Sequence, residues 1–99
     1  FAGSWHLPGS FVLRGERLEE CAQRVAREEL GTRVVAIKLA GVFDNIEGDP
    51  RGHVIDVVYE CVLTDEPSAV GDTAEVGWFS KLPEMGFGQA EMVKKLGVL

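Results

Sequence analysis

Residues 15–32 read GERLEECAQRVAREELGT, and the reading of this stretch decides the fold. Leu18, Cys21, Ala22, Val25 and Ala26 recur at helical spacing, so one side of the segment is apolar while the rest carries acids and arginines. Gly31 is a natural C-terminal stop, because a residue without Cβ enters the left-handed backbone region freely. The spacing therefore predicts a helix over ERLEECAQRVAREEL. Near its end, Glu28 and Glu29 follow Val25 by three and four residues, which presents two carboxylates on adjoining parts of one face. Adjacent acids repel, and a hard divalent cation with oxygen ligands relieves that repulsion. The same pair also suits a solvated face neutralised by Arg24 and Arg27.

Outward from the helix, FAGSWHLPGSFVLRGE reads as loop with a short strand around Ser10 to Leu13 and a turn at Gly15. TRVVAIKLAGVFDN has the β-branched content of a strand, interrupted near Lys38 and resumed from Leu39 to Phe43. IEGDPRG is a loop. HVIDVVYECVL is the longest strand candidate, with His53, Ile55, Val57, Tyr59 and Cys61 on one face. TDEPSAVGDTA is a second loop and EVGWFS a short strand. GQAEMVKKLGVL closes the chain as a helix that buries Ala90, Val93 and Leu96. Strands interleaved with two helices give an α/β or α+β sandwich.

Composition bounds what such a domain does. Ninety-nine residues, 45% apolar and 26% charged, are expected to form a single domain over 1–99 with a small core. A net charge of −6 argues against nucleic acid as partner, since phosphate-backbone affinity comes from clustered Lys and Arg. An anionic substrate then requires a cation as intermediary. No apolar run reaches the roughly 18 residues of a membrane span. Cys21 and Cys61 are too few for a disulfide framework, and with no leader-like segment the expectation is two reduced thiols in a cytoplasmic protein.

The register around Glu28 and Glu29 tips the balance toward the metal. SFVLRGERLEECAQRVAREELGT resembles the Nudix box, G-x5-E-x7-R-E-U-x-E-E-x-G-U with U aliphatic: Glu16, Arg24, Ala26, Glu28, Glu29 and Gly31 stand at matching positions. FAGSWHLPG is similar to the segment that enters the box, and DPRGHVIDVVYECVL resembles a strand of the family's ADP-ribose and nucleotide-sugar members. GDTAEVGWFSKLPEMGF looks like the strand and proline loop before the last helix. Four positions depart: Ser10 replaces the first glycine, Leu13 stands where many members carry an acid, Val25 replaces the glutamate after the arginine, and Thr32 replaces the final aliphatic residue. The GDP-mannose mannosyl hydrolases also lack the glutamate at the Val25 position, although their helix motif differs at the Glu28 slot.

Together with the element order, the resemblance implies a Nudix-type α/β/α sandwich with a mixed central sheet, Leu18, Cys21 and Ala22 packed on the sheet and the closing helix on the other face. Family domains carry strands ahead of the W-x-L-P-G segment, so the N-terminal strands are expected to be missing from this chain or their edge covered by a partner, as in a homodimer. It further implies Mg²⁺ or Mn²⁺ held by Glu28, Glu29 and the Gly9 carbonyl, with Glu28 and Glu29 as catalytic carboxylates. Glu16 and Arg24 would form a structural ion pair that orients the loop. Glu75, and less so Asp72, are loop acids able to reach the metal or its water. His53 is a candidate base, against the plainer reading of a strand-end histidine. Arg51 and His6 are candidates for substrate contact. Trp5, Phe43 and Trp78 are read as core aromatics, Trp78 in particular.

The activity implied is metal-dependent hydrolysis of a nucleoside diphosphate linked to another group, ADP-ribose or a nucleotide sugar being favoured. The alternative is a degenerate module that binds a nucleotide as a sensor without cleaving it, and Val25 is the residue that supports it.

Overall fold

The computed structural model describes residues 4–46 and 49–98, in the order α1 (Leu18–Leu30), β1 (Val34–Asn45), β2 (Val54–Leu63) and α2 (Gln89–Leu96). The loop readings at residues 1–3 and 47–48, and the last residue of the closing segment, lie outside the described residues.

α1 begins two residues later than the spacing predicts. Arg17 sits at its N-terminus with an extended backbone, and its N–H donates to Glu20 Oε1 at 2.9 Å, which satisfies an amide at the helix entry. Gly31 ends the helix in the left-handed conformation, φ 62°, and the Thr32 N–H returns to the Ala26 carbonyl at 3.2 Å. The buried stripe starts at Cys21 and continues through Ala26. Leu18, expected in that stripe, is instead 41% exposed, because burial begins one turn further along.

β1 runs unbroken from Val34 to Asn45, without the interruption expected near Lys38. Lys38 is exposed, so its charge stays in water and the strand carries through. β1 pairs with β2 in an antiparallel two-stranded sheet, giving the mixed helix-and-strand class expected. A mixed sheet is not what the described residues form: their parallel pairing is one isolated bridge between Trp5 and Met85. The Trp5 N–H donates to Glu84 O at 2.8 Å and the Gly86 N–H to Trp5 O at 2.9 Å.

Two expected short strands do not form. Around Ser10 to Leu13 the polar groups that a strand ladder would use are taken by α1 and its approach: Phe11 O accepts from Arg24 Nη2 at 2.9 Å, and the Leu13 N–H donates to Glu16 Oε1 at 3.0 Å. EVGWFS is irregular as well, and Trp78 is 75% exposed, not core. Its neighbour Phe79 stands edge-on to Trp5 at 4.7 Å.

The chain divides into two compact units, one of Phe1–Leu7, Leu39–Val58 and Trp78–Leu99, the other of Pro8–Lys38 and Tyr59–Gly77. In the first, α2 buries Met92 and Val93, while Ala90 and Leu96, expected beside Val93, are half-buried. The buried amide of Asn45 donates to Phe87 O at 2.6 Å and to Asp56 Oδ2 at 3.2 Å. In the second, α1 is tied to the start of β1 by Gln23, whose Oε1 accepts the Val34 N–H at 2.9 Å and whose Nε2 donates to Val34 O at 2.5 Å.

Candidate active site

Within the second unit the segment before α1 is organised by one guanidinium. Arg24 Nε donates to Glu16 Oε2 at 2.8 Å and Nη2 to Glu16 Oε1 at 3.1 Å, a two-pronged contact that matches the planar fork to the carboxylate. Nη2 also reaches Phe11 O at 2.9 Å, and Nη1 reaches Ser10 Oγ at 3.3 Å. Both side chains of the pair are mostly covered, 14% exposed for Arg24 and 12% for Glu16. The hydrogen bonds from Arg24 first, and from the Leu13 amide next, pull the Glu16 carboxyl down from 4.5 to about 2. The same contact raises Arg24, which stays charged throughout.

At the last turn of α1, Glu29 Oε1 accepts the Gly9 N–H at 3.2 Å. Glu28 is more open; Arg24 Nη1 lies 3.6 Å and Arg27 Nη2 3.8 Å from its carboxylate. These distances leave two carboxylates at one helix end, beside the loop that carries Gly9. Val25 is half-buried on the same helix, neither core nor fully solvated. Asp72 and Glu75 are exposed on the segment following β2.

Among the described residues no three His, Cys, Asp or Glu side chains converge as a metal cage. The chemistry of the donors nevertheless fits a hard divalent ion. Glu28, Glu29 and the Gly9 carbonyl offer only oxygens, and Mg²⁺ is held through one or two carboxylates, with water and substrate phosphate in the remaining positions.

The other candidates belong to the first unit. Arg51 is held by the nearly covered Asp49 carboxylate, with Nε 2.8 Å from Oδ1, and its guanidinium lies 5.3 Å from the centre of the Phe87 ring. That pairing lowers the Asp49 carboxyl and raises Arg51. His53 Nε2 donates to Asp44 Oδ1 at 3.3 Å between two exposed side chains. His6 Nδ1 donates to Leu7 O at 2.8 Å and its ring stands edge-on to Phe87 at 5.7 Å. Glu16, Arg24, Gly9, Glu28 and Glu29 thus share one unit with Glu75, and Arg51, His53 and His6 share the other.

Sequence reasoning passed over Asn45, Gln23 and Gln89, the last of which accepts the Leu7 N–H at 2.6 Å. Asn45 stands at the end of β1, where an amide is an ordinary strand-boundary residue, so the sequence carried no signal of its burial. Thr32 registered only as a missing aliphatic residue. It is 5% exposed and its hydroxyl is in use, as described below.

The glutamate pair thus stands on the last turn of α1, with the Arg24–Glu16 fork fixing the loop before it. Residues 1–95 match the NUDIX domain family, and the chain belongs to that family. It is 37% identical over 95% of its length to an ADP-ribose pyrophosphatase of Methanocaldococcus jannaschii, covering 57% of that protein. It is 33% identical over 65% of its length to the low-salt glycan biosynthesis protein Agl8 of Haloferax volcanii, covering 45% of it. The chain therefore spans about half the length of the curated relatives it matches.

Proposed function

We propose that this chain carries the catalytic centre of a divalent-metal-dependent Nudix hydrolase that cleaves the phosphoric anhydride of a nucleoside diphosphate derivative, ADP-ribose before nucleotide sugars. The observation that carries the reading is the Glu28–Glu29 pair at the end of α1, with Glu29 tied to Gly9 and the approach loop fixed by Arg24 on Glu16. The preference for ADP-ribose rests on the relative of that name. Glu28, Glu29 and the Gly9 carbonyl would hold Mg²⁺ or Mn²⁺. Such an ion, when bound, neutralises diphosphate charge and acidifies a water. The chain's own residues then do the rest: Arg24 fixes the loop, and Glu28 and Glu29 set where the anhydride lies. Glu75 and His53 are the candidates for accepting the water's proton, and Arg51 and His6 for substrate contact. We place the protein in the cytoplasm, consistent with two free thiols at Cys21 and Cys61.

A second reading has its own observation. Val25 stands where the box has a glutamate, and a half-buried valine neither ligates nor accepts a proton. On that reading the chain binds a nucleotide without cleaving it.

Incubation with ADP-ribose, nucleotide sugars and nucleoside triphosphates, with Mg²⁺ or Mn²⁺, separates the two. The expected result is AMP and ribose 5-phosphate from ADP-ribose, abolished in the Glu28→Gln/Glu29→Gln double variant at an unchanged melting temperature. Tight nucleotide binding with no turnover favours the sensor. Turnover that survives the double substitution refutes the assignment of the site.

A further inference from the structure

The segment after β2 is fastened to the C-terminal end of α1 by contacts that the rest of the box does not require. Thr32 is central. Its Oγ1 accepts the Asp65 N–H at 3.2 Å, lies 3.3 Å from Asp65 O and is 3.2 Å from Thr64 Oγ1. Backbone adds to this: the Thr64 N–H donates to Arg33 O at 2.9 Å and the Ser68 N–H to Leu30 O at 2.8 Å, so one of the orphan carbonyls of the helix end is capped by the loop.

Two glycines leave room for this contact. A Cβ on Gly31 would stand 3.0 Å from Ser68 Oγ and 3.1 Å from Val70 Cγ1. A Cβ on Gly71 would stand 3.0 Å from the Glu28 carbonyl oxygen, a backbone atom that cannot rotate away, at a residue whose φ is already +58°. The loop backbone therefore rests directly on the residue that carries one of the paired carboxylates. One residue beyond lies Asp72, and four beyond lies Glu75.

We propose that Thr32 and Gly71 are positioning residues: they strap the 64–73 segment onto the end of α1 and so hold the helix end that carries the Glu28–Glu29 pair in one fixed arrangement. This rests on the hydrolase reading of the pair and adds to it a role for the hydroxyl at the box's last position. An aliphatic side chain there cannot accept the Asp65 N–H. The strap makes that loop amide dependent on a threonine or serine.

The test compares Thr32→Val, which keeps shape and burial and removes only the hydroxyl, with Thr32→Ser, which restores it, and with Gly71→Ala. Each is assayed on ADP-ribose with Mn²⁺ and titrated with Mn²⁺ alone. Thr32→Val is expected to remain folded, to lose about tenfold in kcat with KM within about twofold, and to bind Mn²⁺ several-fold more weakly. Thr32→Ser should recover both quantities to within about threefold of the wild type. Gly71→Ala should reproduce the Thr32→Val loss, whereas Gly97→Ala, at a left-handed glycine with nothing within 4 Å of its Cβ position, should reproduce neither loss. A folded Thr32→Val with wild-type kcat and wild-type Mn²⁺ affinity overturns the proposal. If the wild type cleaves no nucleoside diphosphate derivative, the hydrolase reading fails by itself. The Mn²⁺ titration then decides the strap: weakened binding in Thr32→Val and Gly71→Ala upholds it, and unchanged binding removes it.

Discussion

The two helices end alike and differ in the balance of polar and apolar support. Both stop at a glycine in the left-handed conformation, Gly31 and Gly97. Around α1 the fastenings are polar: Gln23 on Val34, Arg24 on Glu16 and Phe11, Glu29 on Gly9, and the loop amide of Ser68 on Leu30. α2 buries the larger Met92 and Val93 and takes a polar fastening at its first residue, where Gln89 Oε1 accepts the Leu7 N–H, while nothing lies within 4 Å of a Cβ on its C-terminal Gly97. Apolar burial fixes a helix by area and tolerates small shifts, whereas a set of directional bonds fixes it by position. A helix that has to place two carboxylates needs the second kind of support.

The contrast is most exposed to Met92→Ala. Met92 is buried, and deleting such a side chain costs about 2–5 kcal/mol from lost transfer energy and residual cavity. Denaturation midpoints should fall accordingly, while Mn²⁺ affinity measured well below the transition should stay at the wild-type value. A weakened metal site in this variant would show that burial around α2 also sets position, and the contrast would fail.

Asn45→Leu sharpens it from the other side. This unit has one buried amide that behaves like the polar fastenings of α1, and removing it leaves Phe87 O without that donor. A loss of about 1–3 kcal/mol is expected in urea unfolding. Phe87 is the one non-glycine described residue at positive φ, 58°, so its amide exchange should rise in the variant if Asn45 restrains it. Unchanged exchange at Phe87 and Gly88 would mean the strained turn is set elsewhere.

Val25→Glu has a smaller expected effect on stability, because Val25 is half-buried and a glutamate there keeps access to water. The melting temperature should change by a few degrees at most. The added carboxylate lies three and four residues before Glu28 and Glu29, so metal stoichiometry or affinity should rise. Gain of hydrolysis by a folded variant from an inert wild type would favour the sensor reading.

What was legible in the sequence follows the same division. The α1 register could be read because its chemistry needs fixed spacing: the intervals between Arg24, Glu28 and Glu29 are set by one helix, with Glu16 two residues before its start and Gly31 at its stop. The continuity of β1 through Lys38 and the loss of a strand at Ser10 to Leu13 were not legible. The second outcome depends on which backbone groups a side chain distant in sequence claims, as Arg24 claims Phe11 O, and the first on Lys38 keeping its charge in water while the strand carries through. Trp78 misled for a related reason. Its aromatic character suggests core, yet it is 75% exposed, and the neighbouring Phe79 stands edge-on to Trp5. Thr32 showed as a mismatch to a pattern, and its use appears only once Asp65, distant in the chain, is beside it.

The gentlest probe of the polar support is acid. The Glu16 carboxyl is lowered from 4.5 to about 2 by Arg24 and the Leu13 amide, so the folded state binds its proton later than the unfolded chain does. Its contribution to stability is therefore present in full above pH 4.5 and lost as pH falls toward about 2. Unfolding free energy measured in urea should decline through this window in the wild type. In Glu16→Gln, which keeps the shape and cannot titrate, the part of the slope belonging to this group should vanish, with a lower plateau near neutrality. Asp49, lowered by Arg51, contributes a decline of the same sign from the other unit, so some slope should persist in Glu16→Gln and shrink again in Asp49→Asn. A Glu16→Gln variant with the full wild-type acid slope would mean that the Arg24 fork does not depress this carboxyl. The positional support of α1 would then rest on Gln23, Gly9 and the 64–73 strap instead.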